Sequence, residues 1–408
     1  MVRHCRFAAV AAALCVVAAA LVAPGAASAQ SGTSGGKTLH IIGAYERQGE
    51  STLASNNFDD GARLAVKDLE KQGWTINYER IPSGGTNATQ MEQAFLAAQA
   101  KNPDAFIGLT SSNTFIPVGP KVAATDLPTF ATASPTEGVK TGPAGGDNIF
   151  LLRPLNEQTY EKAIDYACKT MKMKKIGLTL VNTAFGPTVQ NVIDRNIGKY
   201  PGCKVVTSQT NSATAVDMTQ QALAFKDAGV DGIISANFPG PIGVLVNQLR
   251  QNGVNVPILG GATLNLAKEA NSITSGLQDL VVVDDCVPDL DKTKQAKKFV
   301  KAYEDEFGYI PNYASAQVYD AVHMAANAVA KAGHDHAKIN KALAGTQYDG
   351  VCDYTNDRNN VLAQSVTFYR YNDDGSKKFL KTYQLEFVPN EELGAATTVA
   401  PTTTRPAG

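Results

Sequence analysis

Two stretches of this chain gather the residue types that hold an anion. In TSSNTFIP, 110 to 117, hydroxyl and amide side chains follow an apolar run and lead into a helical pattern. A helix leaves its first four N–H groups without internal partners, so its N-terminus attracts negative charge. Ser112 or Asn113 suits the N-cap and Pro117 the first turn, and the free N–H groups behind them make an anion site. Plain capping would account for Ser111, Ser112, Asn113 and Thr114 equally well. A second hydroxyl-rich loop ends PTFATASPTEG, 128 to 138, and the two side by side look like a carboxylate cradle. Two aromatics, Phe185 in LVNTAFGPT and Phe238 in ISANFPGPIG, stand just past apolar runs at matched positions. They could close over a bound molecule, although such rings more often belong to a core.

Other arrangements fail on spacing. In LHIIGAYERQGES, 39 to 51, five residues separate Gly43 from Gly49, and Glu50 stands where a phosphate loop needs lysine. A carboxylate there repels phosphate. Tyr45, Glu46, Arg47 and Glu50 instead suit a small charged or polar solute, with solvated surface as the alternative for each. No G-x-G-x-x-G opens a helix and no H-E-x-x-H occurs. The G-x-S-x-G at Gly32–Gly36 has no strand before it and no helix after it. The histidines of GHDH, 333 to 336, are spaced i, i+2 and cannot share a helix face, so a surface turn is expected there rather than a metal site. No catalytic residue, metal or cofactor is expected.

The 408 residues allow two domains or more, and a net charge of −1 argues against nucleic-acid binding. Arg3 and Arg6, the apolar run FAAVAAALCVVAAALVA and the small residues Ala27–Ala29 read as a signal peptide over 1–29, with a retained anchor as the alternative. Leu14 before Cys15 argues against lipidation. An exported protein working in the periplasm or cell envelope is expected, cleaved near Ala29. Cys168, Cys203, Cys286 and Cys352 remain, with no C-x-x-C among them. Three pairings are possible in an oxidising compartment. Cys168–Cys203 with Cys286–Cys352 is preferred because the first pair flanks one strand–helix unit; free buried thiols are the alternative.

These residues need elements to position them. After a leader over 30–38, short apolar runs such as AFIGL (105–109), KIGLTLV (175–181), DGIISA (231–236) and VPILGG (256–261) read as buried parallel strands. Helical patterns alternate with them, several ending at glycine. This is an α/β chain with doubly wound parallel sheets. The alternation runs twice, meeting near NIFLLRP (148–154). A long helical section, 293 to 343, and a strand pair, 365–371 and 378–388, follow. The Thr/Pro/Ala-rich end, 390–408, reads as a disordered tail. Ligands of such folds sit at the C-terminal ends of the strands.

The order of IGLTSSNT, VGPKVAATDLPTFATASPTEG, NTAFGPTV, ANFPGPIG, PILGGATL and YASAQVYDAVHMAANAV resembles the leucine/isoleucine/valine-binding family, type I periplasmic solute-binding proteins of ABC transporters. The likeness spans roughly Leu39 to Val388. It implies a Venus-flytrap of two lobes, 39–153 plus 284–364 and 154–283 plus 365–389, with three crossovers near Arg153, Val283 and Gln364. It also implies a small-molecule ligand, a membrane permease as partner, and a monomer. By position, Ser111–Thr114 and Ala131, Thr132 and Ser134 match the carboxylate-holding loops, and Phe185 and Phe238 match aromatics that cover the ligand. Amino-acid binders of the family usually place an acid after the strand matching PILGG, to pair with the ammonium. Here Ala262 and Thr263 stand there. Either Glu46, Glu50, Asp284 or Asp285 takes over, or the solute carries no ammonium. An amino acid, a related carboxylate or an amide is therefore expected as solute. A free sensor reporting to a membrane partner is the alternative, and a secreted hydrolase a more distant one.

Overall fold

The computed structural model describes residues 37–46, 52–134, 146–357 and 359–386. The proposed signal peptide, Arg47, Glu50, the end of the second hydroxyl loop and the tail lie outside them. The first sheet holds β1 (Thr38–Ala44), β2 (Thr75–Ile81), β3 (Ala105–Gly108), β4 (Thr129–Ala131) and β5 (Ile149–Leu151), in the order β2-β1-β3-β4-β5, all parallel. Its connections are helices α1 (Thr52–Glu70), α2 (Ala88–Gln99) and α3 (Ser112–Ala123). Successive residues of β1 enter opposite cores: Leu39 and Ile41 join one, Ile42 and Ala44 the other. Both faces are covered, the condition that lets a parallel strand be apolar throughout.

After α4 (Asn156–Asp165) the second sheet begins. It comprises β6 (Lys175–Val181), β7 (Lys204–Asn211), β8 (Gly232–Ala236), β9 (Ile258–Gly260) and β10 (Leu280–Asp284), linked by α5 (Phe185–Asn196), α6 (Thr219–Asp227), α7 (Pro239–Gln251) and α8 (Ala262–Glu269). The chain then returns as α9 (Lys294–Phe307), α10 (Tyr313–Ala332) and α11 (His336–Ala344), whose apolar faces share a core with β1. A small ladder, β11 (Gln347–Asp349) with β12 (Asp353–Thr355), precedes β13 (Ser365–Tyr371) and β14 (Lys377–Gln384), which add antiparallel to β10. The second order is β14-β13-β10-β9-β8-β6-β7. The chain thus crosses between sheets three times: after β5, after β10 and before β13.

The helix N-cap and the place of Pro117 need correction, and two other segments gain detail. Helix α3 starts at Ser112 with Ser111 as N-cap, neither Ser112 nor Asn113. Ser111 is extended, its N–H meets Thr114 Oγ1 at 3.3 Å, and that hydroxyl donates back to its carbonyl at 3.0 Å. Pro117 is consequently the sixth helical residue rather than part of the first turn, and the helix tolerates Pro120 as well. The long section 293–343 is three helices, broken at Gly308 (φ +78°) and Gly333 (φ +68°), where the left-handed backbone favours glycine. The GHDH histidines do not converge. His334 Nδ1 lies 2.7 Å from Asp104 Oδ1, and His336 Nε2 lies 2.8 Å from the Pro103 carbonyl oxygen, tying the α10–α11 turn to the first sheet.

Helices α1 and α10 cross where a β-carbon on Gly61 would fall 2.1 Å from the Ser315 carbonyl oxygen, so only glycine permits the approach. Disulfides join Cys168 to Cys203 and Cys286 to Cys352, with Cα separations of 5.8 and 5.6 Å. For loops of 35 and 66 residues each bond stabilises the fold by about 4 kcal/mol through the unfolded chain.

On α10 the His323 ring packs 4.6 Å from that of Tyr319, and burial holds its imidazole down to about 4. The unfolded chain takes up this proton at about pH 6.5. Between pH 6.5 and 4 the folded state therefore binds fewer protons, and stability is lost as pH falls through that window. His323→Leu removes this contribution. The melting temperature of the variant relative to the wild type should rise steadily from pH 7 to pH 4.5, and parallel curves would show that the ring protonates freely in the fold.

Candidate functional site

A cavity of about 130 Å³ opens where the C-terminal ends of the two sheets face each other. Its size resembles that of an engineered cavity of about 150 Å³ that accepts benzene, so it suits one ring or one branched chain with a polar group. Its wall is built largely from first turns of helices. From the first lobe come Ser55 of α1, Ser112 of α3 and Tyr313 of α10; from the second, Asn156 of α4, Phe185 of α5 and Ala262 of α8. Pro239, which opens α7, completes the ring. Helix N-termini carry N–H groups without intrahelical partners and partial positive charge, worth about 0.3–1 kcal/mol to a nearby anion. The convergence follows from parallel strands, since every strand–helix turn then lies on the same edge.

The two hydroxyl loops do lie side by side, after the adjacent strands β3 and β4, and Ser112 Oγ donates to the Ser134 carbonyl oxygen at 3.3 Å. Ser111, Ser112, Asn113, Thr132 and Ser134 all face the cavity. Thr114 does not: it is fully buried and holds the cap. Ala131 is the last residue of β4 and lies in the core beneath. Asn113 carries an unexpected role. Its Oδ1 accepts the Ala184 N–H at 2.9 Å, joining the first lobe to the second at the rim.

In the second lobe Phe185 and Phe238 stack on each other, with centroids 6.4 Å apart and planes at 22°, and Tyr160 meets Phe185 edge-on. Phe58 and Tyr313 form a second edge-to-face pair from the first lobe. The cavity is therefore apolar on several sides and lined with donors between them. Phe58, Asn156, Tyr160 and Tyr313 were not singled out from the sequence. Asn156 had one legible signal, a polar residue opening a helix just after a strand end.

Of the acids named as ammonium partners, Glu46, Asp284 and Asp285 do not line this cavity, and neither does Glu269, the first acid after Ala262 and Thr263. The Glu46 carboxylate packs against the backbone of Gly85, in the loop after β2, and its N–H donates to Ser55 Oγ at 3.1 Å. Glu269 lies at the far end of α8, where Asn265 and Asn312 donate to it at 2.7 Å each, and burial raises its pKa. Asp285 takes Nε and Nη2 of Arg153 on one oxygen, at 2.9 and 2.6 Å, while Gln317 donates to the other. Asp284 is buried, and that burial, reinforced by Asp285, pushes its carboxyl well above the usual range. Ala262 and Thr263 stand on the wall at the position where an acid would be expected.

Among the described residues, Arg153 is the one charged side chain on this wall. It sits at the first crossover, stacked 4.5 Å over the Tyr313 ring. Burial pulls its guanidinium down, but Asp285 overrides this and keeps it charged.

Two parallel-sheet lobes wound about a shared cleft define the type I periplasmic binding protein fold. The family model described as periplasmic binding protein matches residues 39–376, and the chain belongs to that family. Leu/Ile/Val-binding protein homolog 7 of Brucella suis biovar 1 (strain 1330) is 21% identical over 333 residues, 75% of this chain and 80% of the relative. The branched-chain amino acid transporter substrate binding protein LivJ from Streptococcus pneumoniae, in complex with isoleucine, superposes with a TM-score of 0.75 at 19% identity, covering 86% of this chain and 99% of LivJ. A solute binding protein of an ABC transporter from R. palustris, in complex with benzoate, gives 0.78 at 16% identity, covering 86% and 98%. At these identities the structures establish the fold. Among the described residues no helix is long and apolar enough to cross a membrane.

The Asn113–Ala184 contact adds one hydrogen bond between the lobes, worth about 1 kcal/mol net. Asn113→Ala should therefore speed release of a bound solute about fivefold. Stopped-flow fluorescence measures the rate. An unaltered rate would mean that the bond does not hold the lobes together.

Proposed function

We propose that this chain is the solute-capturing component of an ABC importer, exported after removal of residues 1–29 and acting as a monomer outside the cytoplasm. The lobes are 39–153 plus 284–364 and 154–283 plus 365–389, and the solute is a small carboxylate. The observation that carries this reading is the ring of helix first turns from both lobes around one cavity. A carboxylate gains from each lobe only when both surround it, so binding favours the closed arrangement and a membrane permease can read that state. Ser111, Ser112 and Ser134 receive the carboxylate, and Phe185 and Phe238 cover the apolar part. Among the described residues of the wall nothing resembles a nucleophile placed beside a base, so capture without chemistry accounts for the site.

Thermal-shift and scattering measurements on mature protein test this. The panel holds branched-chain and polar amino acids, their deaminated acids and amides, and sugars and nucleosides as controls. A true solute at a hundred times its Kd stabilises by about 2.7 kcal/mol, enough to raise the melting temperature by a few degrees. The same solute should lower the radius of gyration. A shift caused by a sugar or nucleoside, with none from any carboxylate, would reject the carboxylate reading.

A further inference from the structure

Arg153 fastens the first crossover to the second with only part of its guanidinium. Nε and Nη2 both donate to Asp285 Oδ1, at 2.9 and 2.6 Å, and among the described residues Nη1 donates to no protein atom. The group is not sealed in: the Arg153 side chain is 19% exposed where that of Asp285 is 3%, and Arg153 lines the cavity. The Tyr313 ring, 4.5 Å away, and the two bonds to Asp285 fix the plane of the guanidinium, so its third nitrogen has a set direction. A guanidinium carries donors and no acceptor, so whatever meets Nη1 must bring an acceptor.

The sheet places this donor beside the hydroxyl loops. Arg153 lies two residues past the end of β5, and the Leu152 N–H donates to the Ala131 carbonyl oxygen at 3.0 Å, so the chain leaving β5 runs next to Thr132 and Ser134. The segments that follow β3, β4 and β5 are thus consecutive on one edge of the sheet, carrying Ser111 and Ser112, then Ser134, then Arg153. Neighbouring strands lie about 4.8 Å apart. One carboxylate, whose two oxygens accept up to about four hydrogen bonds, can be held from adjacent segments at that spacing. Hydroxyls and helix first turns supply dipoles, and Arg153 supplies the formal positive charge among the described residues of the wall.

We infer that Arg153 is a solute-contacting residue: Nη1 donates to the solute's carboxylate, which the serines of the neighbouring loops hold from the other side. This rests on the carboxylate reading of the site given above. Asp285 acts on the same bond twice. It holds the guanidinium in place, and its negative charge tempers the pull on an incoming anion. Affinity for an acid is therefore set by the balance between Arg153 and Asp285 as well as by the hydroxyl loops.

Calorimetric titration tests this, with leucine, 4-methylpentanoate and benzoate as probes beside their primary amides. Arg153→Met combined with Asp285→Asn removes both charges and leaves no buried ion unpaired. It should weaken the best-binding acid about 10- to 100-fold, the worth of a charge-assisted hydrogen bond, and weaken its amide, an uncharged acceptor, several times less. Asp285→Asn alone keeps an acceptor oxygen for Nε and Nη2, and Gln317, whose Oε1 has no partner, can turn its amide to meet the new N–H₂. With the negative charge gone, this variant should bind the acid at least as tightly as the wild type and up to about tenfold tighter. Arg153→Lys, which keeps a charge but loses the fork, should weaken the acid by the same order as the double variant and replaces it if the double variant does not fold. If the pair only fastened the crossovers, Asp285→Asn and the double variant would lose affinity together, and acid and amide would fall alike. Either pattern, or wild-type affinity for the acid in the Arg153 variants, would overturn the inference and leave solute capture standing. If no acid bound the wild type, the carboxylate reading itself would fall.

Discussion

Parallel strand pairing is the constraint from which the site follows. In each sheet the parallel strands end on one edge, and the helices that follow begin there. Two such edges face each other across the cleft, so the N-terminal turns of α1 and α3 meet those of α4, α5, α7 and α8, and α10, which follows α9 rather than a strand, adds its own first turn. A cavity walled in this way is biased towards negative charge before any side chain is considered. The serines and threonines there refine a field that the topology has already set.

The crossovers are fastened more firmly than their loop character suggests. Arg153 on the first pairs with Asp285 on the second, and Cys286, the next residue, is bonded to Cys352 on the segment leading to the third. The third crossover also runs beside β5, where the Leu151 N–H donates to the Asn360 carbonyl oxygen at 2.8 Å and the Leu362 N–H donates to the Leu151 carbonyl oxygen at 2.8 Å. An ion pair this sheltered offsets its own desolvation only when hydrogen bonds satisfy both carboxylate oxygens. Asp285 meets that condition by taking Arg153 on one oxygen and Gln317 on the other. The same guanidinium lies on the cavity wall, so the fastening and the cavity share a residue.

The absence of an acid at Ala262 and Thr263 gains meaning from what surrounds it. Glu269, seven residues on from Ala262, belongs to the same helix but points its charge into a pair of asparagines at the other end. Glu46 turns to the Gly85 backbone. The described wall is rich in donors and aromatic surface, with Arg153 as its charge. Such a wall is matched by an anion with an apolar body.

The sequence by itself determined the alternation of strand and helix and the two sets of strands, because buried parallel strands are continuous apolar runs. KIGLTLV is β6 residue for residue. It was silent where that signal fails. The strands β2 and β7 lie at sheet edges, and TINYERI and KVVTSQTN are half polar because one side of each has no neighbouring strand. The hydroxyl loops were legible for a similar reason: a helix N-terminus leaves a local mark of serine, threonine and asparagine. Tertiary structure alone decided which of these residues reach the cavity. Thr114 and Ser111 differ by one helical turn, yet one is sealed in the cap and the other faces the cleft. Asn113 and Ala184 are 71 positions apart. That bond exists only because two separately wound sheets bring their strand ends together, and no local pattern of residues encodes that meeting.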